Sequence, residues 1–166
     1  MKEQHQQHLI MLYLAKNYIG VRMKSELYVV PPQLVHKYFH MAEPHLKLAI
    51  DKGQGEFELS DLQYACSRNE QQLLMVMRDN KCHCALTTIF YNFPKFRTCY
   101  ISYIGGRNTK DGWKQFTDWA MSQGCDRITG SAVTESVAKL WAKMYNFERK
   151  YITVELKLTN KEQNDT

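Results

Sequence analysis

The sequence predicts a mixed α/β fold in which a central mixed sheet with an antiparallel N-terminal meander is flanked by helices. Two apolar runs, QLLMVM and ALTTIFYNF, are separated by a turn at Asp79-Asn80, the pattern of an antiparallel hairpin. Further on, the strand-like run CYISYI is followed by a helical pattern and then by RITGSA, so a strand pair linked through a helix must run parallel. Between these runs, apolar residues recur at helical spacing, as at Val137, Leu140, Trp141 and Met144.

The first segment, EQHQQHLIMLYLAKNY, reads as a helix over residues 3–18 closed by Gly20. Met23 stands just before the first strand, so residues 1–22 are expected to form a helical appendage, and Met23 offers a second translation start. The strand ELYVV ends at Pro31-Pro32. The next segment places Val35, Tyr38, Phe39, Ala42, Leu46, Ala49 and Ile50 on one helical face. Pro44 is expected to kink this helix or split it in two, because proline lacks the amide donor and crowds the preceding turn. Gly53 should end it, and Ser60 should N-cap a short helix, DLQYACS, with Asp61 in its first turn.

After the hairpin, NFPKFRT turns the chain into CYISYI. The stretch from Ile101 to Cys125, ISYIGGRNTKDGWKQFTDWAMSQGC, then reads as a strand, a glycine-containing polar loop, and a helix. That helix should run from about Gly112 to Gln123, bury Trp113, Phe116, Ala120 and Met121, and close at Gly124. Beyond RITGSA, Thr134 suits the N-cap of ESVAKLWAKMY, and Asn146 suits the left-handed residue that ends it. KYITVELKL alternates as a last strand over residues 150–158, so the main domain spans 23–158. The polar tail 159–166 should fray.

A chain of 166 residues suits one domain, and its 44% hydrophobic content supplies a core. No apolar run reaches the roughly 18–20 residues of a bilayer span. HLIMLYLA is short, follows a polar start and lacks a small-residue cleavage pattern, so a soluble, cytoplasmic protein without membrane association is expected. The net charge of +5 favours anionic partners such as phosphates, nucleic acid or an acidic protein. Lys and Arg are scattered, however, and the aromatics sit at core spacing, which argues against nucleic acid.

The five cysteines, Cys66, Cys82, Cys84, Cys99 and Cys125, are odd in number, which points to free thiols in a reducing compartment. Cys82 and Cys84 should share one face of a strand, and His36 and His40 one face of a helix. This pairing of CxC with HxxxH is no recognised zinc spacing, so these side chains are read as packing residues and no metal is expected.

Two readings fit the segment from Gly105 to Gly112. A helix N-terminus offers unpaired amides and a positive dipole end; glycine permits close approach, and Arg107 and Lys110 supply charge, which together suit a phosphate. The same residues also suit a tight strand-to-helix connection with exposed charges.

The element order resembles the GNAT acyltransferase superfamily over about residues 24–158. That family's motif, Q/R-x-x-G-x-G/A after the fourth strand, is met in part by Arg107-Asn108-Thr109-Lys110-Asp111-Gly112: the arginine and last glycine match, and Lys110 replaces the middle glycine. Gly105-Gly106-Arg107, Asp118-Trp119-Ala120 with Gln123-Gly124-Cys125, and the stretch from Glu43 through Asp61-Leu62 are similar to divergent GNAT-fold proteins of phages and prophages. The resemblance implies a splayed parallel strand pair and acetyl-CoA as co-substrate, without a metal. It assigns the cofactor to Ile104, Gly105, Gly106, Arg107, Asn108, Thr109, Lys110, Asp111, Gly112 and Trp113. It also implies an amine acceptor, a small molecule or a protein, with Glu43, His45 and Asp51 as contacts.

Members of that family often use a glutamate near the fourth strand as base and a tyrosine after the fifth strand as acid. Neither TCYISYI nor RITGSA holds a carboxylate; Tyr100, Ser102 and Tyr103 are the polar side chains beside the expected splay. Aligning Tyr145-Asn146-Phe147 with the family's L-G-F puts Ala142 in the tyrosine's place. No catalytic residue is therefore assigned. Two functions stay open: an acyl-CoA-dependent N-acetyltransferase, and a catalytically degenerate GNAT-fold protein with a structural, virion-associated or protein-interaction role.

Overall fold

The computed structural model describes residues 24–107 and 109–158, so the expected helix at 3–18 and the tail at 159–166 lie outside the described residues. The described chain falls into two units, one ending at Ser131 and one beginning at Ala132.

The first unit is built on a five-stranded sheet of order β1 (Glu26–Val30), β2 (Gln72–Arg78), β3 (Lys81–Phe93), β4 (Phe96–Gly106) and β5 (Arg127–Gly130). Neighbours from β1 to β4 are antiparallel, and β4 and β5 are parallel. The β2–β3 hairpin turns at Asp79 and Asn80, both with positive φ (50° and 60°), the handedness that matches strand twist.

A 3-10 turn (Pro32–Leu34), helix α1 (Val35–Ile50) and helix α2 (Leu59–Ser67) connect β1 to β2. Contrary to the expectation of a split, α1 runs unbroken through Pro44. Proline costs a helix interior about 3 kcal/mol, but Val35, Phe39, Ala42 and Leu46 are 0–3% exposed. Burying each large side chain contributes about 1.5–3 kcal/mol, so the apolar face holds the helix together across the defect. The second helix starts two residues earlier than expected. Its N-cap is Glu58 rather than Ser60, and Asp61 reaches back to accept from the Glu58 backbone N–H at 2.9 Å.

Alternation divides the sheet into two packed faces. Leu73, Met75, Met77 and Ala85 pack with Leu46, Leu62 and Cys66 of α1 and α2. Val76, Cys84 and Leu86 line the opposite side, together with Gly112 and Phe116 of helix α3 (Thr109–Ser122). That helix begins earlier than expected. Its buried stripe is Gly112, Phe116 and Ala120, while Met121, one residue or about 100° further round, is 62% exposed instead of buried.

Two register shifts re-aim side chains. Val76 pairs with Cys84 but Met77 with Cys82, leaving His83 as an extra residue; Thr87 pairs with Tyr103 but Thr88 with Ile101, leaving Ser102 extra. The first shift overturns the expectation that Cys82 and Cys84 share a face. Cys82 packs against the α1 side of the sheet and Cys84 lines the α3 side.

In the second unit, helix α4 (Glu135–Tyr145) has the expected ends: Thr134 Oγ1 accepts from Val137 N at 3.3 Å, and Asn146 is left-handed with φ 56°. Trp141 and Phe147 pack at a 5.1 Å centroid distance, and Arg149 pairs with Glu135. The expected strand over 150–158 does not form. Residues 151–158 carry no regular structure, and Tyr151, Ile152, Val154, Leu156 and Leu158 are 82–90% exposed. Alternation alone does not make a strand; the ladder must find a partner, and none of the described residues pairs with this segment.

Candidate functional site at the end of strand β4

Pairing between β4 and β5 runs from Thr98↔Arg127 to Ile101↔Gly130 and stops there. Strand β4 continues through Ser102 to Gly106, held on its other side by β3. Among the described residues, no strand covers the β5 side of this extension, so backbone N–H and C=O groups are left available along an edge. Where β5 ends, the Tyr100 hydroxyl donates to Ser131 Oγ at 3.0 Å.

The glycines of the expected loop belong to this strand and serve the protein's own packing. A Cβ on Gly105 would lie 2.0 Å from the His45 carbonyl oxygen of α1. Gly106 has φ +120°, and a Cβ there would lie 2.3 Å from the carbonyl oxygen of the bulged His83. Arg107 N donates to that same oxygen at 2.8 Å. Gly112 is buried, and its Cβ would lie 2.6 Å from Val76 Cγ2. It therefore lets α3 settle on β2.

Helix α3 begins at Thr109, so Arg107 and Asn108 alone join it to β4; Asn108 lies outside the described residues. Arg107 and Lys110 are exposed on either side of the helix start. Asp111, in its first turn, accepts from Ser25 Oγ at 3.0 Å and lies 3.8 Å from Arg78 Nη1. Ile104 and Trp113 line an apolar recess with Leu27, Val76, Leu86 and Phe116, beneath the first turns of α3. The positive end of the α3 dipole and the two exposed cations make the helix start a place where an anion would be attracted. The open edge before them fits an extended amide-bearing chain.

On the α1 side, the bulge brings Ser102 into a polar network that spacing does not reveal. Ser102 Oγ donates to Gln71 Oε1 at 2.6 Å and is 2.8 Å from Thr87 Oγ1; Gln71 and Thr87 are 3% and 0% exposed. Beside it, the Tyr103 ring meets Phe57 edge-on at 6.1 Å. Burial first, then the nearby Glu56 carboxylate, pushes the Tyr103 phenol above its ordinary pKa. Glu56 and Phe57 come from the loop between α1 and α2; the residues singled out from the sequence were instead Glu43 and His45, within α1, and Asp51, at its end. Of these three, Glu43 is exposed, His45 Nε2 is 2.8 Å from the Cys82 carbonyl oxygen, and Asp51 pairs with Lys47 at 2.8 Å. His45 and Asp51 thus already have partners within the chain.

All five cysteines are free thiols. Burial pushes Cys66, Cys82, Cys84 and Cys99 up to about 12, which makes them poor nucleophiles at neutral pH. His36 and His40 are exposed on α1. Among the described residues, no group of three or more His, Cys, Asp or Glu side chains converges as a metal site would require. No helix among them is long and apolar enough to cross a membrane.

Solved structures share this architecture. An aminoglycoside acetyltransferase from an uncultured soil metagenomic sample, in complex with sisomicin, matches with a TM-score of 0.61 at 13% identity, over 82% of this chain and 97% of that one. A ribosomal-protein-alanine N-acetyltransferase from Brucella melitensis matches with a TM-score of 0.59 at 11% identity, over 81% and 99%. The chain has the GNAT acetyltransferase fold. A predicted acetyltransferase from Clostridium acetobutylicum, bound to acetyl-CoA, matches with a TM-score of 0.54 at 14% identity, over 80% and 96%. No family model and no curated protein matches the sequence.

Proposed function

We propose that the protein is an N-acetyltransferase that takes its acetyl group from acetyl-CoA and passes it to an amine. One observation carries this reading: β4 outruns β5 from Ser102 to Gly106 and leads, through Arg107, directly into the N-terminus of α3. The edge would hold the amide-rich arm of the cofactor, while α3, Arg107 and Lys110 would hold its pyrophosphate. Acetyl-CoA supplies the activated thioester. The chain's contribution is to align amine and thioester, an effect that can lower a barrier by about 7–11 kcal/mol without a dedicated base. Ile104, Gly105, Gly106, Asn108, Thr109, Asp111, Gly112 and Trp113 complete the proposed contact set, the glycines by shaping the backbone.

An amine acceptor is supported by two structural neighbours, one bound to the aminoglycoside sisomicin and another named for a ribosomal-protein alanine. Free buried thiols support a reducing, cytoplasmic setting. A phage or prophage origin rests on the sequence likeness around Gly105-Gly106-Arg107 and Glu43 to Leu62.

A second reading, a degenerate fold kept for binding in a virion or another complex, is favoured by the lack of a carboxylate on β4 or β5. A thermal-shift titration with acetyl-CoA and CoA separates the two. Stabilisation by acetyl-CoA supports the enzyme, and a flat response of the folded protein at millimolar ligand leaves only the binding role.

A further inference from the structure

At the far end of the β3–β4 hairpin, alternation puts Tyr91 and Phe93 of β3 and Phe96 and Tyr100 of β4 on one face of the sheet. Phe90 faces the other way and packs on Trp119 of α3 at a 5.7 Å centroid distance. The four rings form a continuous strip. Centroids are 5.0 Å apart between Phe96 and Phe93, 6.5 Å between Phe93 and Tyr91, and 5.8 Å between Tyr91 and Tyr100. These aromatics have core spacing in the sequence, yet Tyr91 and Phe93 are 44% and 51% exposed. A contiguous exposed strip of this kind marks an interaction surface.

Charge narrows the partner. Residues 89–100 and 127–131 hold Lys95, Arg97 and Arg127 but no acidic residue. The neighbouring Asp126 carboxylate is occupied by the Arg97 backbone N–H at 3.0 Å. The Arg127 guanidinium lies 3.8 Å from the Phe96 ring centroid and is exposed, so stacking orients its fork of N–H groups beside the strip. Lys95 is exposed in the turn between Phe93 and Phe96. A polyanion that carries flat aromatic groups complements both the rings and the cations.

We infer that Tyr91, Phe93, Phe96 and Tyr100, flanked by Lys95 and Arg127, form a stacking platform for a single-stranded nucleic acid. The rings take unstacked bases and the cations take phosphates. Length favours this partner over an anionic membrane. From Phe96 to Tyr100 the strip extends about 13 Å along the sheet, beyond the roughly 5–10 Å to which interfacial segments sink. The Tyr100 hydroxyl is also tied to Ser131 Oγ at 3.0 Å. Phe96 opens β4 and Gly106 ends it, so the platform stands at the opposite end of that strand from Arg107 and does not depend on acetyl transfer.

The test is fluorescence anisotropy of the full chain with a fluorescein-labelled oligo-dT of about 12 nucleotides, beside an abasic strand of equal length and charge. Oligo-dT should bind saturably and the abasic strand about tenfold more weakly, because stacking requires bases. Phe93→Ala and Tyr91→Ala should each weaken oligo-dT about tenfold. Both positions are exposed, so these variants should keep the native circular dichroism spectrum. Arg127→Gln should weaken binding about threefold and lower the salt slope by about 0.7. No saturable oligo-dT binding, equal binding of the abasic strand, or unchanged affinity in both ring variants would overturn the inference. Phe93-dependent sedimentation with phosphatidylserine vesicles, by a protein that ignores oligo-dT, would overturn it in favour of a membrane anchor. Excess acetyl-CoA should leave oligo-dT affinity unchanged; displacement would place the strand at the start of α3 and overturn the platform.

Discussion

Ser25 Oγ donates to Asp111 Oδ2 at 3.0 Å, joining the segment before β1 to the first turn of α3. Arg78 Nη1 lies 3.8 Å from the same oxygen. The one acidic residue in the helix's first turn is thereby occupied on the β1–β2 side. Asp111→Asn keeps a hydrogen-bond acceptor for Ser25 but removes the charge. Stability should fall by about 0.5–1 kcal/mol, from the lost dipole and Arg78 interactions. If an anion binds at the helix start, acetyl-CoA affinity should rise about two- to threefold as a screened repulsion disappears. Calorimetric titration beside urea unfolding would detect these opposite signs, and weaker acetyl-CoA binding would refute the placement.

Gly112→Ala sets a methyl group against Val76. Overpacking of this kind costs about 1–3 kcal/mol. In a Val76→Ala background the same change should cost little or stabilise, since alanine is about 1 kcal/mol better than glycine in a helix. A double-mutant cycle by urea unfolding measures this coupling. No rescue by Val76→Ala would show that Gly112 is required for another reason, such as ligand approach.

Arg107 is exposed, and only its backbone bonds to His83. Arg107→Ala should therefore leave the melting temperature within experimental scatter and weaken acetyl-CoA by about 1–3 kcal/mol, the worth of a charge-assisted hydrogen bond. Equal affinities for the variant and the parent protein would remove Arg107 from the proposed contact set.

The buried thiols give the stability a pH slope. Cys66, Cys82, Cys84 and Cys99 are raised from an ordinary 9.0 to about 12, chiefly by desolvation. Above about pH 9 the unfolded chain releases protons that the folded chain keeps, so stability should be highest below that pH and decline as pH rises toward 12. Urea midpoints at pH 8 and pH 10 should show the decline, and Cys66→Ala should make it shallower. Equal slopes in parent and variant would contradict burial of that thiol.

Much of the site's framework was legible before the structure. The Asp79-Asn80 turn, the Thr134 cap and the left-handed Asn146 are local, because each depends on a few residues whose backbone preferences act over one turn. The parallel β4–β5 pair was legible too, since a strand–helix–strand order leaves few alternatives. The likeness to acetyltransferases rested on that order and on a partial motif.

Tertiary packing decided the rest. It carried α1 through Pro44, because buried side chains outweigh a local defect. It assigned the glycines at 105, 106 and 112 to contacts with His45, His83 and Val76, partners far away in sequence. The bulges at His83 and Ser102 separated Cys82 from Cys84 and turned Ser102 toward Gln71; a one-residue register shift leaves no periodic trace in the sequence. The alternating segment 151–158 formed no strand, because alternation specifies which side chains would share a face but not whether a neighbouring edge is present to pair with them.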